Sequence, residues 1–188
     1  MKKTTLRRVL LIAALCSASV AAAATILPLT WQQLIEKSER VALVEAISRS
    51  VEEYEGIPTT LVTCRVTQTY RGTPGASLVL RLPGGKRGDL TMRIPGAPLP
   101  EVGDTFLVFG RGDGTRYGGR DVLRPVGMGQ GMLAVVEKSG RRWVVQVLGR
   151  APERFAACDG AGEACRRQVG TLAEPLANLG DLLAAPQE

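Results

Sequence analysis

The sequence predicts an all-β protein: a small antiparallel β-barrel with a short N-terminal helix and a short C-terminal helical tail. Three observations carry that expectation. Short apolar segments alternate with period two, as half-buried strands do. Gly and Pro, 22 and 11 of the 188 residues, punctuate those segments at close spacing, which favours turns over long helices. No strand–helix–strand rhythm is present, so no parallel sheet is expected.

The chain opens with Lys2, Lys3, Arg7 and Arg8, then an apolar run from Val9 to Leu15, then small residues leading to Ala21-Ala22-Ala23-Ala24. A basic start, an apolar middle and an A-x-A end form the pattern of a secretory signal peptide. The alternative, a retained anchor, is opposed by length, because a bilayer span needs about 18–20 apolar residues. Arg7-Arg8 hints at twin-arginine export, but the residues around it match that signal weakly. Leu15 before Cys16 speaks against a lipid-modified cysteine. The expected organisation is a signal peptide at 1–24, a barrel domain at 25–150, and a tail at 151–188 holding a short disulfide loop and a helix. The expected location is the periplasm or the outside, with no integral membrane segment after cleavage.

Four of the 24 basic residues and none of the 18 acidic ones lie in residues 1–24, which leaves +2 on the remainder. A near-neutral exported chain gives no basis for nucleic-acid binding. Histidine is absent. That removes Ser-His-Asp and Cys-His catalysis, His-ligated zinc and haem, and histidine pH switching.

Taken in order, Thr30-Trp31-Gln32-Gln33 has capping-box spacing, and Trp31, Leu34 and Ile35 follow at helical spacing. A helix over about Trp31–Ser38 is expected. Val41 to Ile47 reads as a buried strand. Ser50 to Pro58 reads as a polar connection; Glu52, Glu53 and Glu55 lack metal-loop spacing. Thr60 to Tyr70 alternates, with Val62, Cys64, Val66 and Tyr70 on one face. Leu78, Leu80 and Leu82 make a third strand, and Leu90, Met92 and Ile94 a fourth. Between them, Gly85-Lys86 invites a phosphate-loop reading. Leu80 stands where that loop needs its first Gly, and Arg87 where it needs Ser or Thr. Asp104 to Phe109 is a fifth strand, Arg111 to Arg120 a Gly-rich loop, and Val122-Leu123 a sixth element. Met132–Val136 and Arg142–Leu148 form the clearest hairpin, around Lys138-Ser139-Gly140-Arg141. Leu176, Leu179 and Leu183 sit at helical spacing behind Pro175, which predicts a short, weakly packed C-terminal helix.

Three cysteines follow the signal. Cys158 and Cys165 flank a segment with two glycines and are expected to form a disulfide in an oxidising compartment; the alternatives are two free thiols or a bond to Cys64. Cys64 shares a face with Val62 and Val66 and reads as a buried small hydrophobe. With no histidine to activate it, it is not a nucleophile.

From Leu34 to Leu148 the order of features resembles a widespread group of uncharacterised exported bacterial proteins. The features are Val41-Ala42-Leu43-Val44, Val66-Thr67-Gln68-Thr69-Tyr70-Arg71-Gly72, Leu80-Arg81-Leu82-Pro83-Gly84-Gly85, Val102-Gly103-Asp104-Thr105-Phe106-Leu107-Val108-Phe109 and Gly129-Gln130-Gly131. Their layout is similar to the OB-like barrel of netrin-type and metalloproteinase-inhibitor domains. Those inhibitors chelate a protease zinc through an N-terminal cysteine. Here the expected mature start, near Thr25, has none, so no inhibitory mechanism carries over.

By elimination, the expected function is that of an exported, non-catalytic barrel module binding an envelope or extracellular partner, with no catalytic residue, cofactor or metal. The alternative is a hydrolase of envelope polysaccharide using paired carboxylates, Glu45 with Asp104 or Asp121. Aromatic platforms for sugars are scarce, at 4% of the chain. Arg87-Gly88-Asp89 and Arg111-Gly112-Asp113 both spell an adhesion tripeptide, but these residue types abound in turns. Single-strand binding would need stacked aromatics and a basic groove.

Overall fold

The computed structural model describes residues 27–73, 75–147, 151–169 and 171–184; the expected signal peptide lies outside them. Among the described residues the chain forms α1 (Trp31–Lys37), β1 (Arg40–Tyr54), β2 (Ile57–Arg71), β3 (Ser77–Pro83), β4 (Gly85–Arg87) and β5 (Leu90–Met92). β6 (Thr105–Tyr117), β7 (Arg120–Pro125), β8 (Met132–Lys138) and β9 (Arg141–Gln146) follow. α2 (Ala151–Ala157), α3 (Gly162–Val169), β10 (Ala173–Pro175) and α4 (Leu179–Ala184) complete it.

The protein is mostly β. Eight strands make one mixed sheet in the order β1-β2-β3-β7-β6-β8-β9-β10, and β4 and β5 pair separately. β1 also pairs with β6, from Arg40↔Gly110 to Glu45↔Thr105. That second pairing bends β1, β2, β3, β7 and β6 into a partial ring. A strand with neighbours on both edges and cover on both faces needs continuous apolar residues, and Val41, Ala42, Leu43 and Val44 are all buried.

The expectation of a wholly antiparallel arrangement is corrected at one place. β3 and β7 pair in parallel, Val79 with Val122 and Leu80 with Leu123. The crossover between them runs through β4, β5 and β6 rather than through a helix, so the usual sign of a parallel pair is missing from the sequence.

Inside the ring lie Ala42, Val44, Val62, Cys64, Leu78, Leu80, Leu82, Phe106, Val108 and Leu123. The opposite face, with Val41, Leu43, Leu107, Phe109 and Leu133, is covered by Leu34 and Ile35 of α1 and by Leu176 and Leu179. The expected C-terminal helix is present, with Leu179 fully buried and Leu182 and Leu183 partly buried against that face. The α1 capping box is present: Gln33 N donates to Thr30 Oγ1 at 3.2 Å and Thr30 N to Gln33 Oε1 at 3.0 Å. Trp143, Val145, Phe155 and Cys165 form a further cluster where α2 and α3 lie on the sheet. β10 joins the sheet through Ala173↔Val145, so the C-terminal segment contributes a strand to it.

Two expected loops are strands. Ser50 to Pro58 belongs to a β1–β2 ribbon closed by Glu55-Gly56, and Arg111 to Arg120 to a β6–β7 ribbon closed by Gly118-Gly119. Both turns put two consecutive residues at positive φ, the two-residue geometry that matches strand twist. The fourth expected strand shrinks to β5. Tyr70 leaves the Cys64 face and packs with the α1 cluster. The β1–β2 register shifts once before it, at Leu43/Val44, where Thr67 is the extra residue and reverses which face follows; Tyr70 is itself the extra residue of the next shift, at Val41/Ala42.

The Gly129-Gln130-Gly131 turn anchors the segment before α1. Gln130 Oε1 accepts from Leu29 N at 2.7 Å and Nε2 donates to Leu27 O at 3.3 Å. A Cβ at Gly131 would lie 2.6 Å from Phe109 O, so only glycine allows that approach.

Candidate functional site

β1 and β2 run past the ring as a two-stranded ribbon. An extra residue, Ile47, interrupts the ladder between Ala46↔Cys64 and Ser48↔Thr63. Beyond it Arg49 pairs with Val62 and Val51 with Thr60, so an arginine takes up the line of the ring's apolar interior at its open end. The β4–β5 hairpin folds over that end. Thr60 Oγ1 donates to Gly84 O at 2.7 Å, Gly84 N donates to Pro58 O at 2.9 Å, and Arg87 pairs with Glu53. Gly85 has φ +140°, and a Cβ there would sit 2.7 Å from Thr60 Oγ1 and 2.9 Å from Val51 Cγ1. Glycine is what lets the hairpin seat so closely.

Between the ribbon, the hairpin and residues 94–101 lies a cavity of about 730 Å³, within the range of small-molecule sites. Val51, Met92, Ile94 and Leu99 give it apolar walls, and Arg49, Lys86, Arg93 and Glu101 give it charge. Arg49 Nη1 donates to Glu101 Oε1 at 2.9 Å, but both side chains are well exposed. Such a pair contributes about 0–1 kcal/mol and exchanges readily. The side chains of Lys86 and Arg93 have no hydrogen bond or ion pair among the described residues. Electrostatically the mouth of the ring is a net cationic, partly apolar concavity on a rigid frame.

A second cavity, about 700 Å³, lies between the sheet and α2. Asp104, Glu137, Glu153 and Arg142 line it beside Phe106 and Met132. A third, about 260 Å³, is walled by Tyr54, Arg81 and Arg124. The Arg81 guanidinium stacks 4.1 Å over the Tyr54 ring, with that of Arg124 at 5.3 Å. Arg81 pairs with Asp113, whose side chain is 3% exposed, and Arg124 Nε lies 3.7 Å from it. Thr115 donates its amide at 2.9 Å and its hydroxyl at 2.6 Å to Asp113 Oδ1. Burial pushes the Asp113 carboxyl up; the Thr115 donors and the two guanidinium groups more than offset this and hold it below its usual value.

The expected disulfide, Cys158–Cys165, is present, with a Cα separation of 5.7 Å. Cys64 is free and buried, and burial pushes its thiol up to about 12. The β1–β6 ladder sets Glu45 opposite Thr105, one residue from Asp104. Their carboxylates are engaged separately, Glu45 with Arg65 at 2.6 Å and Asp104 Oδ2 with the Glu101 amide at 2.8 Å. Asp121 lies opposite Arg116 on β7 and pairs with Arg40 at 3.2 Å. The two tripeptides differ. Arg87-Gly88-Asp89 caps the β4–β5 hairpin, whereas Arg111-Gly112-Asp113 lies inside β6 with its aspartate side chain buried, where a Gly-rich loop was expected. Glu52 accepts from Tyr117 Oη at 2.8 Å. Among the described residues no group of three or more His, Cys, Asp or Glu could hold a metal ion. No helix among them is long and apolar enough to cross a membrane.

Sequence reasoning missed the cavity at the mouth of the ring. The available signal was the Gly84-Gly85-Lys86 step followed, across a tight Gly88-Asp89 turn, by Arg93. No protein-family model matches the chain, and no curated protein matches it.

Proposed function

We propose that this chain is an exported, non-catalytic binding module built on an OB-type β-barrel, akin to the exported bacterial proteins it resembles, and that it holds its envelope or extracellular ligand at the mouth of the ring. The barrel reading is supported by the ring order β1-β2-β3-β7-β6 with its return to β1 and its one parallel pair. The reading of function is carried by one observation: the roughly 730 Å³ cavity lined by Lys86 and Arg93, whose side chains have no partner among the described residues. A rigid scaffold with a concave, partly apolar mouth and a few convergent polar groups is the usual form of a binding site. The +2 charge outside residues 1–24 supports a ligand other than nucleic acid.

A second reading, a carboxylate-dependent hydrolase of envelope polysaccharide, is favoured by Asp104, Glu137 and Glu153 around one cavity. Purified mature protein incubated with cell-wall and polysaccharide fractions separates the two. Saturable, stoichiometric binding without turnover, lost when Ala97→Trp fills the mouth, supports the module. Turnover abolished by Asp104→Asn, with the fold intact, would sink it in favour of the hydrolase.

A further inference from the structure

Resting on the reading of the ring mouth as the binding site, we infer that its ligand carries a phosphate monoester, held by Lys86, Arg93 and Arg49, with an apolar body against Met92 and Ile94.

Charge comes first. Three cationic side chains and one carboxylate, Glu101, line the cavity, so a dianion leaves it balanced. Five other arginines, Arg40, Arg65, Arg81, Arg87 and Arg166, each pair with an acid. Lys86 and Arg93 face one cavity without such a partner among the described residues. They sit on the same hairpin, Lys86 opposite Thr91 and Arg93 just beyond Met92, which pairs with Gly85. A seated hairpin thus fixes their spacing.

Donor geometry comes next. A phosphate monoester offers three equivalent oxygens and up to two charges, so it can accept from an ammonium and two guanidinium forks at once. A carboxylate offers two oxygens and one charge. Arg49 is available because its one acidic partner among the described residues, Glu101, holds it through an exposed contact of 2.9 Å, beside a 3.5 Å bond from Nη1 to Pro100 O; the phosphate replaces that carboxylate.

Two sources share this chemistry, a soluble phosphate ester and a phosphatidic-acid headgroup. The test is a titration of the mature protein, by calorimetry and amide chemical shifts, with phenyl phosphate, with benzoate, and with phosphatidylcholine vesicles with and without phosphatidic acid. The expected result is one saturable site for phenyl phosphate, phosphatidic-acid vesicles, or both, with benzoate at least about tenfold weaker. Lys86→Ala with Arg93→Ala should weaken binding about tenfold or more, and Arg141→Ala with Arg167→Ala should leave it unchanged. Glu101→Gln should tighten it, an effect no loss of folding could produce. Soluble-only binding assigns a free ester, and vesicle-only binding a lipid. Absence of saturable binding to either phosphate probe, equal binding of benzoate, or binding indifferent to Lys86 and Arg93 would overturn the assignment. The wider reading survives that failure if an envelope fraction still binds saturably in a manner blocked by Ala97→Trp.

Discussion

Cys64 and Asp113 show how burial sets the chemistry of a side chain. The Cys64 thiol lies in the ring core with its proton held up to about 12, so almost no thiolate exists at neutral pH. Thiol reagents should therefore label it only when denaturant opens the ring, and fast labelling of the native protein would place it wrongly. Cys64→Ser puts a hydroxyl among Val62, Leu78 and Leu80 and should lower the unfolding free energy by about 1–3 kcal/mol, read from urea titration. Asp113 is the opposite case, a buried carboxyl kept charged by Thr115, Arg81 and Arg124. Its folded value lies below the unfolded value of about 3.9. The stability this contributes is present above about pH 4 and is lost as pH falls through the folded value. Asp113→Asn should flatten the acid limb of a stability–pH curve below about pH 4 and cost about 1–3 kcal/mol at neutral pH. An unchanged acid limb would show that the pair contributes nothing. Neither residue's setting was equally legible. Cys64 announced its face by alternation with Val62 and Val66, whereas Asp113 sat in a stretch rich in Gly and Arg that read as a loop.

Elements were legible where one face is apolar and the period holds. β3 shows Leu78, Leu80 and Leu82 on alternate positions, and β8–β9 is a regular hairpin around Ser139-Gly140. The far half of β1 and the first residues of β2, Ile57 to Thr59, were hidden because Ile47 adds a residue and Ser48 to Tyr54 is mostly polar. β6 was cut short because Gly110, Gly112 and Gly114 read as turn residues, yet Gly110 is in the strand so that Leu123 can pack 3.2 Å from where its Cβ would be. α2 and α3 were hidden by their few apolar residues; the Cys158–Cys165 loop between them was readable from its glycines alone. That helix pair sits on Trp143 through Gly162, where a Cβ would fall 2.1 Å from Trp143 Cζ2. Gly162→Ala should destabilise by about 1–3 kcal/mol through overpacking and shift the tryptophan emission. Gly180→Ala in α4, where a Cβ meets nothing within 4 Å, should stabilise by up to about 1 kcal/mol. Equal effects from the two substitutions, measured by thermal unfolding, would contradict the packing described.

On the scale of the whole molecule, the sequence indicated a β-rich fold, turn by turn, but not how the strands close. Closure depends on β1 pairing with β6 and on the parallel β3–β7 contact, both between segments far apart in the chain. The candidate site depends on the same closure. Arg49, the hairpin residues Lys86 and Arg93, and Glu101 come from three separate stretches, and the ring and its seated hairpin gather them. The acidic cavity beside α2 shares Leu99 with the mouth but draws its carboxylates from other elements, Asp104, Glu137 and Glu153, so protection at those residues or at the hairpin separates carboxylate chemistry from binding at the mouth. Amide hydrogen exchange of the mature protein, with and without an envelope fraction that binds it, reads this directly. The account predicts slowed exchange at Val51–Thr60 and Gly85–Ile94, with Thr105–Phe106 and Ala134–Glu137 unchanged. Slowing confined to the second group, with the hairpin unaffected, would contradict it.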